Sequence, residues 1–275
     1  MVRANLLARV ALLQRAIPVK GNTMSPTPFH SLPDAATARQ DLLPRPEERL
    51  PFTVRVVTDT DTLSKAIDIR RAAYGRHIPT LAATMGTPER HDNDPGAVVL
   101  LAESKLDGAP LGTMRIQTNR NGPLWLEQSV ELPDWLQGKS LAEATRLGTT
   151  AGTIGRLTKH VLFKAYYLYC VSVGIEWMVI AGRSPLDRQY DALLFEEVFP
   201  GAGYIPMRHA GNIPHRVLAF HIPTAQAKWE AADHPLYDFI VRTVHPDITI
   251  IPTVSPAGDL SVDKLLLAAA RGLEH

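Results

Sequence analysis

Two apolar runs, Ala97–Glu103 and Leu111–Gln117, flank the segment Leu106-Asp107-Gly108-Ala109-Pro110, and this arrangement limits the fold more than any other feature. Asp, Gly and Pro supply the backbone conformations that a tight reversal needs, so the two runs pair as an antiparallel hairpin. After an irregular stretch, Ser140–Thr149 reads as another strand. A long helix is expected from about Ile154 to Gly174, N-capped by Thr153, and then a buried strand over Ile175–Ala181. Strand, crossover helix and strand make a parallel pair. Upstream, Phe52–Val57 alternates as a strand, and Asp61 is placed to cap a helix through Leu63, Ile67, Ile69 and Ala73. Downstream, Arg188–Phe199 reads as a helix, Val217–Ile222 as a strand and residues 225–245 as helical, before a short helix at 261–271. An antiparallel front half joined to a βαβ back half predicts an α/β (α+β) fold, a mixed central sheet with helices on both faces.

The ends differ from this middle. Residues 1–17 carry Arg3, Arg9 and Arg15 with no acid, and Leu6, Leu7, Val10, Leu13 and Ile17 recur at helical spacing. That pattern suits peripheral membrane contact, docking on a partner or targeting, or an upstream extension with Met24 as the start. Residues 18–51 hold seven prolines, from Pro18 to Pro51, and read as a linker or wrapping arm. The expected organisation is an arm over 1–51, a main domain over 52–224 and a helical extension over 225–275. Leu273-Glu274-His275 resembles the start of a cloning-derived tag.

Composition excludes several classes. A net charge of +1 gives no field to attract nucleic acid. The single Cys170 rules out an internal disulfide and a cysteine-based zinc site, and agrees with a reducing, cytoplasmic setting. Its apolar surroundings mark it as a packed core thiol. The histidines are scattered and no spacing supports a metal. His209, His215 and His221 read as structural histidines more readily than as site residues.

Candidate chemistry collects elsewhere. Glu143, Thr145 and Arg146 lie on the strand before the long helix. Glu143 and Thr145 share a face, and an acid beside a hydroxyl suits an amine that must lose a proton. Arg146, three residues from Glu143, falls on the opposite face of an ideal strand; a bulge or a strand end is needed to bring the two together. A cross-strand ion pair accounts equally well for these charges. Thr149, Thr150, Gly152, Thr153 and Gly155 precede or open the helix, leaving N–H groups for an anion. Arg156, Lys159, His160 and Lys164 form a basic helix face suited to a phosphopantetheine or an acidic carrier protein, or simply a solvated face.

One ordered set of motifs carries a resemblance. Arg70 and Tyr74 on the first helix are followed by Glu89-Arg90-His91-Asp92-Asn93-Asp94, by Gly112-Thr113-Met114-Arg115 and by Glu143-Ala144-Thr145-Arg146-Leu147. Over about residues 52–222 this resembles the acyl-homoserine-lactone synthases and the long-chain N-acyl amino acid synthases, bacterial cytoplasmic enzymes with GNAT-like folds. The resemblance implies an acyl thioester of phosphopantetheine on acyl carrier protein as co-substrate, an amine acceptor and no tightly bound cofactor. It implies that Arg70, Tyr74, Asp92, Asp94 and Arg115 bind the acceptor and that Glu143 and Arg146 stand at the reaction centre. Ile78-Pro79-Thr80-Leu81-Ala82-Ala83 lacks the aromatics expected around an S-adenosylmethionine acceptor. An amino acid is therefore the expected acceptor. A lactone synthase, or a non-catalytic module that docks a carrier protein, are the alternatives.

Overall fold

The structure, a computed structural model, describes residues 45–250. The helix expected at 1–17, most of the proline-rich arm, the helix at 261–271 and the tag-like ending lie outside the described residues. In chain order come β1 (Phe52–Val56), α1 (Thr60–Gly75), α2 (Pro79–Ala82), β2 (Ala97–Ser104), β3 (Pro110–Thr118), β4 (Leu141–Thr149) and α3 (Gly152–Ser172). Then follow β5 (Trp177–Gly182), α4 (Asp187–Ala192), β6 (Glu196–Glu197), β7 (Ile205–Met207), β8 (Ile213–His221), α5 (Ala225–Ala231) and β9 (Ile248–Thr249).

The strands form a mixed sheet in the order β6-β8-β5-β4-β3-β2-β1-β9, with β7 pairing β8 off this path. The β2–β3 hairpin is antiparallel, as its turn chemistry predicts. The pairs β4–β5 and β1–β9 are parallel, and the others are antiparallel. On one face α3 packs over Val98, Leu100, Met114, Ile116 and Ala142. The opposite face carries two separate apolar patches. One joins α1 residues Leu63, Ala66 and Ile67 to Val99 and Leu101. The other collects Leu124, Leu126, Val179, Met207 and Val217. The polar side chains Arg115, Glu143 and Thr145 come from the same sheet face as these two patches.

Several boundaries move from their sequence expectation. Asp59, not Asp61, caps α1: its carboxylate accepts the Thr62 N–H at 2.8 Å. Helix α3 begins at Gly152, so Thr153 lies inside it, and the cap position falls on Ala151 without a side-chain bond. The helix expected over Arg188–Phe199 stops at Ala192, because Glu196–Glu197 is drawn onto β8 as an edge strand. The segment expected to be helical over 225–245 breaks into α5 and a wide turn at Asp238–Arg242. Trp229, Leu236, Phe239 and Ile240 from this segment join the α3-side core. Residues 46–50 also pack onto the body: Leu50 is buried, and its N–H donates to Asp247 at 2.8 Å. No described helix is long and apolar enough to cross a membrane.

Candidate active site

The sheet splits at its centre. Strands β4 and β5 pair from Leu141↔Trp177 to Ala144↔Ile180 and no further. Beyond that point β4 continues with β3 to Thr149, while β5 continues with β8 to Gly182↔Arg216. The β4 edge past Ala144 therefore has no strand partner on its β5 side, and its backbone groups face the gap. A cleft of about 460 Å³ fills this gap, lined among others by Tyr74, Thr145, Arg146, Gly152, Tyr190 and His209. Gly148 keeps β4 close to α1, since a Cβ there would lie 3.0 Å from the Ala73 Cβ. Gly155 does the same for the mouth, because a Cβ would strike the Thr150 carbonyl.

A bulge decides the strand parity. Arg115 faces Thr145 and Thr113 faces Gly148, so Arg146 and Leu147 together oppose Met114. Arg146 takes φ 55°, the left-handed region. The extra residue turns Arg146 to the face of Glu143 and Thr145 and returns Leu147 to the α3-side core. The condition that the sequence left open, a bulge between the acid and the arginine, is met.

A buried network fills the space between the two apolar patches. Arg146 grips Glu89 with two nitrogens, at 2.8 Å and 2.7 Å. Arg115 donates to Glu89 at 2.9 Å and to Asp92 at 3.0 Å. Arg70 donates to Asp92 at 2.9 Å and 3.0 Å, and to Glu89 at 3.2 Å. Burial works to raise both carboxyls, but the surrounding guanidiniums outweigh it and hold Glu89 and Asp92 below the usual carboxylate range. Arg115 also donates to the Thr145 hydroxyl at 3.3 Å and lies 4.1 Å from the Trp125 ring centre.

The acidic pair differs from the one that the resemblance implied. Glu89 and Asp92, three apart on a single 3-10 turn, face the arginines. Asp94 instead pairs with His91 and stays outside the network, because the chain has turned extended at that residue. Glu89 and Trp125 also bear on the network: Glu89 opens the acidic motif but was given no role in it, and a Trp inside an otherwise irregular stretch is the only signal Trp125 offers.

Glu143 has a different environment. Its side chain is fully buried; one oxygen accepts the Leu126 N–H at 3.2 Å and the other has no hydrogen-bond partner. Burial pushes its carboxyl up to about 7. Thr145 and Arg146 line the cleft and Glu143 does not. His209 lines it, with Nε2 3.9 Å from the Glu143 Oε1. His215 also lines the cleft, whereas His221 bonds Thr224 at the far end of β8.

The mouth is cationic. Arg76, Arg156, Lys159 and Arg183 line it, and among the described residues no carboxylate does. Among the described residues, the bonds that Arg76, Arg156 and Arg183 make run to carbonyls and a hydroxyl. Burial and the charge of Arg156 hold the Lys159 ammonium below its ordinary range. Thr149, Thr150 and Gly152 lie beside them at the uncapped start of α3. Lys164 does not belong to this face. It turns inward, donating to the Phe239 carbonyl at 2.7 Å and the Thr243 carbonyl at 2.5 Å and contacting His245 at 2.8 Å. Its place one turn beyond His160 puts it under the 238–245 segment, which removes it from any carrier-binding surface. Among the described residues no group of His, Cys, Asp and Glu is arranged to hold a metal ion.

No protein-family model matches the chain, and no curated protein sequence does. Solved structures do. The structure of FeeM, an N-acyl amino acid synthase from uncultured soil microbes, aligns with a TM-score of 0.54 at 19% identity, covering 66% of this chain and 96% of that one. The CoA-dependent acyl-homoserine lactone synthase BjaI aligns at 0.48 and 14% identity, over 80% and 99%. The acyl-homoserine-lactone synthase LasI aligns at 0.43 and 15%, over 63% and 93%. At such identities the likeness is one of fold, and the fold is GNAT-like.

Proposed function

We propose that the protein is an N-acyltransferase that moves an acyl chain from an acyl carrier protein thioester to the amine of an amino acid. The observation that carries this reading is the parting of β4 from β5 beyond Ala144 and Ile180. Among the described residues it leaves an unpaired strand edge in a cleft whose lining holds cations and no carboxylate. A thioester carbonyl seated in the gap finds backbone N–H groups of the β4 edge for its developing oxyanion. The phosphate of phosphopantetheine finds the uncapped start of α3 beside Arg156 and Lys159. The acceptor's carboxylate finds Arg146 or Arg183; Arg115, also expected to hold it, is buried and engaged by Glu89, Asp92 and Thr145. Arg70, Asp92 and Glu89 then serve to fix Arg146 and Arg115 rather than to touch the acceptor. Glu143, held near neutrality, receives the proton that the attacking amine loses.

The fold likeness to an N-acyl amino acid synthase supports the same reaction class. S-adenosylmethionine as acceptor is disfavoured, since among the described residues no carboxylate lines the cleft to face its sulfonium. Mass spectrometry of lipid extracts from an expressing host tests the reading. Acylated amino acids that vanish with Glu143→Gln are expected. Acyl lactones would replace the reading with lactone synthesis. Carrier-protein binding without either product would make the protein a docking module.

A further inference from the structure

Glu143 is wholly buried and does not line the cleft, so an acceptor amine in the cleft does not touch it. One imidazole bridges that separation. His209 sits on the 3-10 turn Arg208–Ala210, closed by Gly211 in the left-handed region. Its side chain is 5% exposed, it lines the cleft, and Nε2 lies 3.9 Å from the Glu143 Oε1. Among the described residues, neither the buried Glu143 Oε1 nor the buried His209 Nδ1, on the other side of the ring from Nε2, has a hydrogen-bond partner. A buried carboxylate oxygen left unpaired beside an imidazole at a cleft wall is costly unless it is used. The turn is held in place, because Arg146 donates to the His209 carbonyl at 3.1 Å and the Trp125 ring meets the imidazole edge-on at 5.9 Å.

We propose that His209 is the group that accepts the proton from the acceptor amine, through Nε2, and that Glu143 is the buried carboxylate that takes the proton on from that atom. This rests on the acyl-transfer reading above. As the amine nitrogen bonds to the thioester carbon, its proton goes to Nε2 and from there to the Glu143 carboxylate. The C–S bond then breaks, and the proton returns through Nε2 to the departing sulfur. The products are an amide and a thiol, with His209 and Glu143 restored. The 3.9 Å gap is the kind of free-enzyme distance that tightens when substrate binds.

The groups around the ring keep it ready for this. Burial, followed by the positive charges of Arg146 and Arg115 and the neighbouring His215, pushes the imidazole down to about 4, with Glu89 opposing them. It is thus neutral at pH 7. Trp125 and, behind it, His91 close the remaining side.

The test uses the full chain with decanoyl-CoA or decanoyl-pantetheine and a mixture of the twenty amino acids, following thiol release and N-acyl product mass. His209→Gln is expected to lower kcat about 100-fold or more with KM little changed. His209→Gly is expected to regain rate when imidazole is added, which a merely structural role would not produce. In parallel, ¹⁵N NMR of the histidine ring is expected to show a His209 Nε2 resonance that follows an ionisation near pH 7 and ceases to do so in Glu143→Gln. A wild-type rate in His209→Gln, or a resonance indifferent to Glu143→Gln, overturns the proposal. A coupled resonance in a wild type that acylates nothing overturns the acyl-transfer reading instead, and supports the pair as a proton-transfer unit.

Discussion

Asp92 and Glu143 stand on the same face of one sheet, and neither side chain is exposed, yet burial has opposite results for them. Asp92 receives two guanidiniums and the Glu89 N–H, and its carboxyl is held down. Glu143 receives the Leu126 N–H and no cation in contact, and its carboxyl rises to about 7. A buried carboxylate with counter-ions is a fixed charge that positions other groups. A buried carboxylate without them exchanges protons near neutral pH. The first kind holds Arg115 and Arg146 in place, and the second is the one that the proposed reaction uses.

The sharpest way to break this contrast is Arg70→Met, which leaves Asp92 buried with one cation in place of two. Removing one partner of a buried ion pair costs about 3–5 kcal/mol, so a large fall in the urea midpoint is expected; an unchanged midpoint would show that the network is not structural. Glu143→Gln acts in the other direction. Its folded pKa lies above the ordinary 4.5, so the contribution of Glu143 to stability is most favourable below that value and falls as pH rises towards 7. The Gln variant has no such loss. Its stability advantage over wild type is expected to grow by about 2–3 kcal/mol between pH 4.5 and 8, measured as urea midpoints at both pH values. A difference independent of pH would mean that Glu143 does not titrate there.

Smaller effects test the cleft mouth and the network's edge. Lys159→Ala is expected to raise KM for a phosphopantetheine thioester about tenfold, roughly 1.4 kcal/mol, with kcat held. The effect should shrink as salt is added, because the contact is electrostatic. Thr145→Val removes the hydroxyl that accepts from the Arg115 Nε and should cost about 1 kcal/mol, again as a urea midpoint. A larger loss would mean that Thr145 does more than accept this bond.

Much of this was legible in local sequence. The hairpin, the order of the long elements and their types follow from apolar runs and turn residues that act over a few positions. Glu143 and Arg146 stood out as charges on the strand before the long helix, Arg70 and Arg115 only through the resemblance, and the structure brings all four to one face. Where the reading went astray, the decisive contact was distant. Asp94 is one residue past the point where the acidic turn ends, and Glu89, at its start, is the one turned to Arg146. Lys164 sits at regular spacing on a basic helix stripe, and only the 238–245 segment draws it inward. His209 is one of ten scattered histidines until β8 carries it to Glu143.

The sequence by itself determined the mixed sheet and the set of charged side chains available to it, because strand alternation, helix periodicity and turn chemistry are local properties of the chain. Tertiary structure decided which of those charges became paired and which did not. The parity of Arg146 depends on a bulge opposite Met114, and the state of Glu143 depends on which counter-ions reach it through the fold. Both are set by contacts between residues far apart in sequence, in a medium where a missing partner shifts a carboxyl by units rather than tenths.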